Sequence, residues 1–358
     1  MYNSNLRLTP FPHDETYGYW VSPAAEFAGK TERLEVSSRV AADFVSYYGG
    51  VETQFTNLFL PLTLRYKTEK DLLGFTGGFI RDNTLMSELL DTGLVLRFTQ
   101  RNQLTANPSW TRRITEKLSF QASGQLNDTT YENGLGLGLV DYQVFEGLGG
   151  FLYQMTEQDQ IQLSGSYTNF HTTNAPSPFR ASYPGVNLSL THAFTETLTG
   201  TTYGGPRFVM STTEAVSDNI TTQSTVWLFG AKLTKKLEST SIHMNIDRDI
   251  VPSGFGLLIQ RDRAGLTVSH NLSETLTATF DGAGYLVSGV TQRTTGGIFP
   301  ENRYFYLTPK IAWQFLEWWK LEISYTYGHR EVDGLNPAMS NATMFTLTYF
   351  PPKLAFSN

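Results

Sequence analysis

The fold is decided by a stretch that reads Leu58-Phe59-Leu60-Pro61-Leu62-Thr63-Leu64-Arg65-Tyr66, followed at once by Lys67-Thr68-Glu69-Lys70. Successive side chains of a β-strand point to opposite faces, so the alternation of leucine with other residues predicts a strand with one strongly apolar face. The polar residues that follow lack this alternation and predict a tight turn. The stretch therefore describes one strand and one turn of a β-hairpin.

The same arrangement recurs along the whole chain. A short polar segment built around a glutamate returns at intervals of 36 to 47 residues, at Glu32, Glu69, Glu116, Glu157, Glu196, Glu238, Glu274 and Glu317. Each interval has the length of one up-and-down pair of strands. Runs such as 33–48 and 222–236 have no strong breaker and exceed the roughly 5 to 6 residues of a soluble strand. They reach the roughly 9 to 11 residues that a tilted membrane strand needs.

The repeat predicts an all-β fold, a transmembrane antiparallel up-and-down β-barrel that forms a single domain over residues 1–358. Nine longer connections separated by eight glutamate turns give nine hairpins, hence about 18 strands with both termini on the periplasmic side. Residues 3–10 are the predicted first strand and residues 343–350 the last, and the two are expected to pair. Two prolines, Pro10 and Pro12, weaken the first strand, so 16 strands is the alternative count.

Composition agrees with a membrane barrel. The 358 residues are 40% hydrophobic, 17% charged and 13% aromatic, and no stretch approaches the roughly 18 apolar residues of a spanning helix. The chain has no cysteine, which suits passage through an oxidising periplasm. Its net charge of −6 argues against a nucleic-acid partner.

Several segments resemble a family of bacterial outer-membrane β-barrel porins. The similarity is carried by Leu6-Arg7-Leu8-Thr9-Pro10, Phe79-Ile80-Arg81-Asp82-Asn83-Thr84-Leu85, Pro252-Ser253-Gly254-Phe255-Gly256 and Leu347-Thr348-Tyr349-Phe350-Pro351-Pro352-Lys353. Members of this family are uncharacterised barrels, some of them linked to exopolysaccharide export. The resemblance implies an outer-membrane barrel and does not indicate a substrate.

Parity along the strands predicts which charged residues face a water-filled lumen. The predicted pore-lining residues are Arg39, Arg65, Lys67, Arg97, Arg101, Arg113, Glu35, Asp43, Asp247, Asp281 and Glu322. Charges of opposite sign on facing walls would set a transverse field and an ion preference. Alternatively, they pair with charges on neighbouring strands.

One connection has the pattern of a short capped helix. Asp82-Asn83-Thr84 precedes an apolar face that contains Leu85 and Leu89, with Glu88 between them. Folded into the lumen, this segment forms a constriction made of Asp82, Leu85, Glu88 and Leu89. Folded over the rim, it is an ordinary loop.

No motif points to an enzyme. The six histidines lie on different hairpins without metal-ligand spacing, and no phosphate loop or haem-attachment motif is present. We therefore expect no catalytic residues, no metal and no cofactor.

Two functional hypotheses remain. The first is an outer-membrane, porin-like channel for passive diffusion of small hydrophilic solutes or ions. The second is a structural or export barrel that docks or sheathes a partner in an envelope assembly for polysaccharide export or electron transfer, which would need apolar inward positions. The expected partners are outer-membrane lipid and lipopolysaccharide, the barrel-assembly machinery, and a homo-oligomer or an envelope protein.

Overall fold

A computed structural model describes residues 1–50, 52–85, 87, 98–214, 219–290 and 301–352. Its strands are β1 Tyr2–Asn3, β2 Thr16–Val21, β3 Ala24–Lys30, β4 Leu34–Gly49, β5 Thr53–Lys67, β6 Asp71–Asn83, β7 Gln100–Arg113, β8 Leu118–Tyr131, β9 Tyr142–Gln154, β10 Asp159–Thr172, β11 Phe179–Thr195, β12 Leu198–Thr213, β13 Ile220–Lys236, β14 Thr240–Pro252, β15 Leu258–Asn271, β16 Leu276–Gly289, β17 Asn302–Leu316, β18 Trp319–Val332 and β19 Ala338–Tyr349. A 3-10 turn spans Gly134–Leu137. In the described ranges no helix has the length and apolar character needed to cross a membrane.

The strands form one closed antiparallel barrel. From β4 onwards each strand pairs with the next along the chain. β2 and β3 both pair with β4, so they are two halves of one wall strand interrupted at Ser22 and Pro23. β1 closes the ring by pairing with β2 on one side and β19 on the other. The wall therefore has the 18 strands that the repeat predicts, and the count of 16 is wrong.

The predicted first strand over residues 3–10 is wrong, because β1 ends at Asn3. The amide side chain of Asn5 accepts a hydrogen bond from the Thr9 backbone nitrogen at 3.0 Å and donates to the Thr9 carbonyl at 2.9 Å. Such local side-chain bonds compete with the strand ladder and close residues 5–9 into a loop. Pairing between the first and last strands is confirmed, with Tyr2 opposite Thr343.

The eight glutamate segments are the short connections between strands. Because neighbouring strands alternate in direction, these turns share one end of the barrel, which we call the turn end. The opposite end is the loop end. In five turns the hydroxyl just before the glutamate accepts a backbone N–H three residues further on, at 2.9 to 3.1 Å; the donors are Leu34, Asp71, Leu118, Asp159 and Leu276. The recurrent Thr-Glu or Ser-Glu pair is thus a turn device.

Burial separates the two faces of the wall. On β10 the exposed Leu163 and Tyr167 alternate with the buried Ser164 and Thr168. The exposed apolar face points outward and the other face points into the barrel. From β4 to β19 the strands are 12 to 17 residues long, which exceeds the roughly 9 to 11 residues that span a bilayer.

Candidate functional site: the barrel interior

The inward face near the turn end is polar. Gln121 of β8 accepts a hydrogen bond at 3.0 Å from the side-chain amide of Gln162 on β10, two strands away. The hydroxyls of Thr191 and Thr201 lie 3.0 Å apart across β11 and β12. Side chains cannot fill the interior of a barrel with this many strands. The turn-end half of the interior therefore presents a hydrophilic wall.

Near the loop end the inward face becomes apolar. One cluster of buried residues follows strands β8 to β13 and also includes Leu139 of the β8–β9 connection and Leu258 of β15. Its members are Tyr131, Leu139, Tyr142, Val144, Phe170, Phe179, Ala181, Tyr183, Val209, Val226 and Leu258. We call it the loop-end core. Phe170 is fully buried and Val209 nearly so. An inward face this dry needs other parts of the chain to cover it, because the barrel is too wide for opposite walls to touch.

Two connections from different parts of the wall supply that cover. Residues 132–141 join β8 to β9, and residues 253–257 join β14 to β15. They meet where the Val140 nitrogen donates to the Gly254 carbonyl at 2.7 Å. Gly256 adopts φ +75°, and a Cβ placed on it would lie 2.6 Å from Cγ2 of Val140. This close approach across the interior requires glycine.

A third inward segment comes from the N-terminus. Residues 4–9 lie along the inward face of β18 and β19, where the Arg330 guanidinium donates to the Leu8 carbonyl at 3.1 Å and Asn5 donates to the Met339 carbonyl at 3.1 Å. Leu6 packs in a second buried cluster with Val45, Tyr47 and Leu85. The segment predicted as a wall strand thus covers part of the interior.

The predicted constriction segment also reaches this second cluster. Thr84, Leu85 and Ser87 are helical, and Asn83 is the N-cap, since its side chain accepts the Leu85 nitrogen at 3.1 Å. Asp82, the last residue but one of β6, lies on the inward face and binds Arg101 of β7. Leu85 is buried beside inward residues. Glu88 and Leu89 lie outside the described residues, and the role of this segment as a constriction stays a prediction.

The strand registers place the described pore-lining candidates on one face. These are Glu35, Arg39, Asp43, Arg65, Lys67, Arg101, Arg113, Asp247, Asp281 and Glu322. Arg97 lies outside the described residues. Whether these side chains line a conducting pore stays a prediction.

Several of these charges have partners on neighbouring strands. Glu26 lies 3.4 Å from Arg39, Asp82 lies 2.7 Å from Arg101, and Lys30 lies 2.5 Å from Glu35. Glu322 is 3.7 Å from Lys310 of β17 and 3.7 Å from Lys320 of its own strand. Thr267 donates to Asp281 at 2.7 Å. Local pairing therefore holds for several of the candidate charges, and whether the others set a field across the lumen stays a prediction.

Other inward groups were missed by the sequence reasoning. Glu146 hydrogen-bonds Thr168 and lies in the field of Arg207 below the loop-end core. Arg261 binds Asp249 at 2.8 Å. The rings of Tyr285 and Tyr304 stack with centroids 4.3 Å apart, and Arg263 lies over Tyr285. The alternation of side chains along a strand could have assigned these residues to the inward face. However, their strands have few alternating apolar residues from which to tell the inward face from the outward one. Across the described ranges no cluster of three His, Asp or Glu residues could hold a metal ion.

No protein-family model and no curated protein matches the chain. Solved structures with a similar fold include the alcaligin outer-membrane receptor FauA from Bordetella pertussis, with a TM-score of 0.51, 14% identity and coverage of 98% of this chain and 65% of that one. The copper transporter OprC gives 0.50, 11%, 96% and 66%, and the FrpB iron transporter from Neisseria meningitidis gives 0.52, 8%, 88% and 61%. The chain thus spans less than two thirds of the length of these proteins.

Proposed function

We propose that this chain, which has the fold of an outer-membrane β-barrel, is an outer-membrane channel for small hydrophilic solutes or ions. The solved structures with a similar fold do not support the porin or polysaccharide-export family. The placement in the bacterial outer membrane rests on the outward apolar face, which suits contact with lipid and lipopolysaccharide. Short turns face the periplasm in such barrels, so the turn end, where the last strand finishes at Tyr349, is the periplasmic side.

The observation that carries the proposal is the division of the interior. Its turn-end half is lined by hydrogen-bonded polar side chains, whereas its loop-end half is covered by the chain's own inward segments. A solute entering from the turn end meets a wide polar vestibule and then a narrower passage bounded by the segments around Val140, Gly254 and Leu85. This arrangement is that of a selective channel.

The same observation does not favour a docking or sheathing barrel. A sheath would offer its apolar inward residues to a partner. Here Tyr142 and Phe170 are already buried against the chain's own residues, so they leave no apolar surface for another protein.

Planar-bilayer recording of the purified, refolded protein tests the proposal. Steady conductance steps after insertion are the expected result. Folding is checked separately by the heat-dependent shift of the barrel's mobility on gels. Protein that is folded and inserted but carries no current would contradict a channel function.

A disulfide tests the narrow passage. In the double variant Val140→Cys/Gly256→Cys the two Cβ atoms would be 3.9 Å apart, within the range of about 3.5 to 4.5 Å for a disulfide. The chain has no other cysteine, so the bond would be unique. If the two connections part to admit solute, the oxidised protein conducts less, and a reductant restores the current. The reduced form of the same protein is the control for strain at position 256.

A further inference from the structure

The wall has a seam where the barrel closes. β1 pairs with β2 and β19 over only two residues. Towards the turn end, residues 19–21 of β2 and all of β3 have no strand partner, among the described residues, on the side away from β4. On the other side of the seam, residues 344–349 of β19 pair with β18 but have no strand partner, among the described residues, on their opposite side. Within the described ranges, two strand edges without partners therefore flank the seam.

The two edges cannot pair with each other as antiparallel strands, because they run in the same direction. β2, β3 and β19 all run from the loop end to the turn end, since each is antiparallel to a strand that runs the other way. β1 lies between them and runs towards the loop end. The strand that fits the seam must run as β1 does, antiparallel to both edges.

The seam also faces the membrane. Phe27 of β3 and Phe345 and Leu347 of β19 are more than half exposed and lie on the outward face. Water cannot satisfy open backbone N–H and C=O groups in hydrocarbon, and a membrane barrel for that reason has no free edge. The inference thus rests on the membrane placement proposed above.

We propose that an extended segment of the same polypeptide continues β1 past Met1 towards the turn end and fills the seam. Met1 already makes a strand-type pair with Gly18: its nitrogen donates to the Gly18 carbonyl at 2.8 Å, and the Gly18 nitrogen donates to the Met1 carbonyl at 3.0 Å. A residue attached to the Met1 nitrogen is therefore directed along the gap. This continuity favours the same chain over a separate peptide.

The register defines what the segment looks like. Tyr2 lies opposite Tyr17 and Thr343, so the residue before Met1 would face Tyr19 and Phe345, and each earlier residue is one step nearer the turn end. About five residues would reach Tyr349. Side chains alternate, beginning outward at the residue before Met1, so the segment should be apolar at that position and at every second position before it.

The test attaches six residues before Met1. The sequence Ser-Val-Thr-Leu-Ser-Val places its apolar residues outward, and Val-Thr-Leu-Ser-Val-Ser has the same composition with the parity reversed. We expect the first extension to raise the thermal unfolding midpoint in detergent by about 5 °C or more and the second to leave it unchanged. A Cys in place of the Leu of the first extension should cross-link to Leu347→Cys and fail to cross-link to Thr346→Cys, as read by mass spectrometry.

Three results would overturn the proposal. The first is equal behaviour of the two extensions. The second is a disulfide between Tyr19→Cys and Phe345→Cys in the unextended chain, which would show that the seam closes on itself, since β1 and Met1, one residue away, hold the flanking edges two strand spacings, about 10 Å, apart. The third is equal stabilisation by the free six-residue peptide, which would point to another protein as the donor. Conductance is a separate measurement, so the channel proposal can stand if the seam proposal fails.

Discussion

Asp82→Ala should destabilise the barrel more than the loss of any other single ion pair in the described ranges. The carboxylate of Asp82 accepts two hydrogen bonds from Arg101, at 2.9 Å from Nε and 2.7 Å from Nη2. Each side chain is only 9% exposed. Truncating the aspartate leaves a guanidinium buried without its counter-charge beside the loop-end core.

The magnitude follows from this burial. Breaking a buried pair from one side costs about 3 to 5 kcal/mol, and at this exposure little solvent screening reduces that figure. The double variant Asp82→Ala/Arg101→Met removes both charges and should lose clearly less than the single variant. Arg39→Ala is the control, because its pair with Glu26 is 68% exposed on both sides and is worth about 0 to 1 kcal/mol.

Equilibrium urea unfolding of the protein in phospholipid vesicles, followed by tryptophan fluorescence, gives the free energies. The Asp82 variant should also show noisier conductance, because Asp82 directly precedes the Asn83 cap of the inward helical turn. A loss no larger than that of Arg39→Ala would refute the reasoning and would place the Asp82 and Arg101 side chains in contact with water.

Three further outcomes are expected. Phe170→Ala, at the fully buried centre of the loop-end core, should cost about 3 to 5 kcal/mol in the same unfolding assay. Gly205→Ala should destabilise measurably, since a Cβ there would overlap the Val186 carbonyl oxygen, whereas Gly147→Ala, with open space around it, should not. Glu322→Gln leaves its two lysine partners uncompensated, so the reversal potential in a salt gradient should shift towards anion preference. An unchanged reversal potential would show that permeating ions do not pass near Glu322.

The wall could be predicted from the sequence because lipid and water impose opposite demands on the two faces of each strand. The runs at Leu58 and Leu163 alternate for this reason, and in five of the eight glutamate turns the same type of hydroxyl bond holds the chain reversal. The count of 18 strands follows from those two features. Both the alternation and the turns are set by residues close together in the sequence, so the sequence reveals them.

The interior could not be predicted in the same way. Over residues 140–152 the parity is ambiguous in the sequence, because inward Tyr142 and Val144 are apolar as well as outward Phe145 and Phe151. Where both faces of a strand are apolar, the alternation of apolar and polar residues disappears and no longer identifies the inward face. What makes the inward face dry is the contact between Val140 and Gly254, which joins segments more than a hundred residues apart. Residues 5–9 belong to the predicted first strand. The prolines show that this strand is weak, but they do not show that the Asn5 side chain bonds to the Thr9 backbone and folds the segment inward.

The placement of charge bears on what the channel can select. On β14 and β15 the inward residues Asp247 and Asp249 lie opposite Arg263 and Arg261, so each rung carries one acid and one base. Such pairs cancel at distances beyond a Debye length of about 8 Å, and the lumen is wider than that. Discrimination by charge along the polar half should therefore be weak. The passage beside the loop-end core is where a solute would meet protein on all sides, and there size and hydration, more than charge, should decide what crosses.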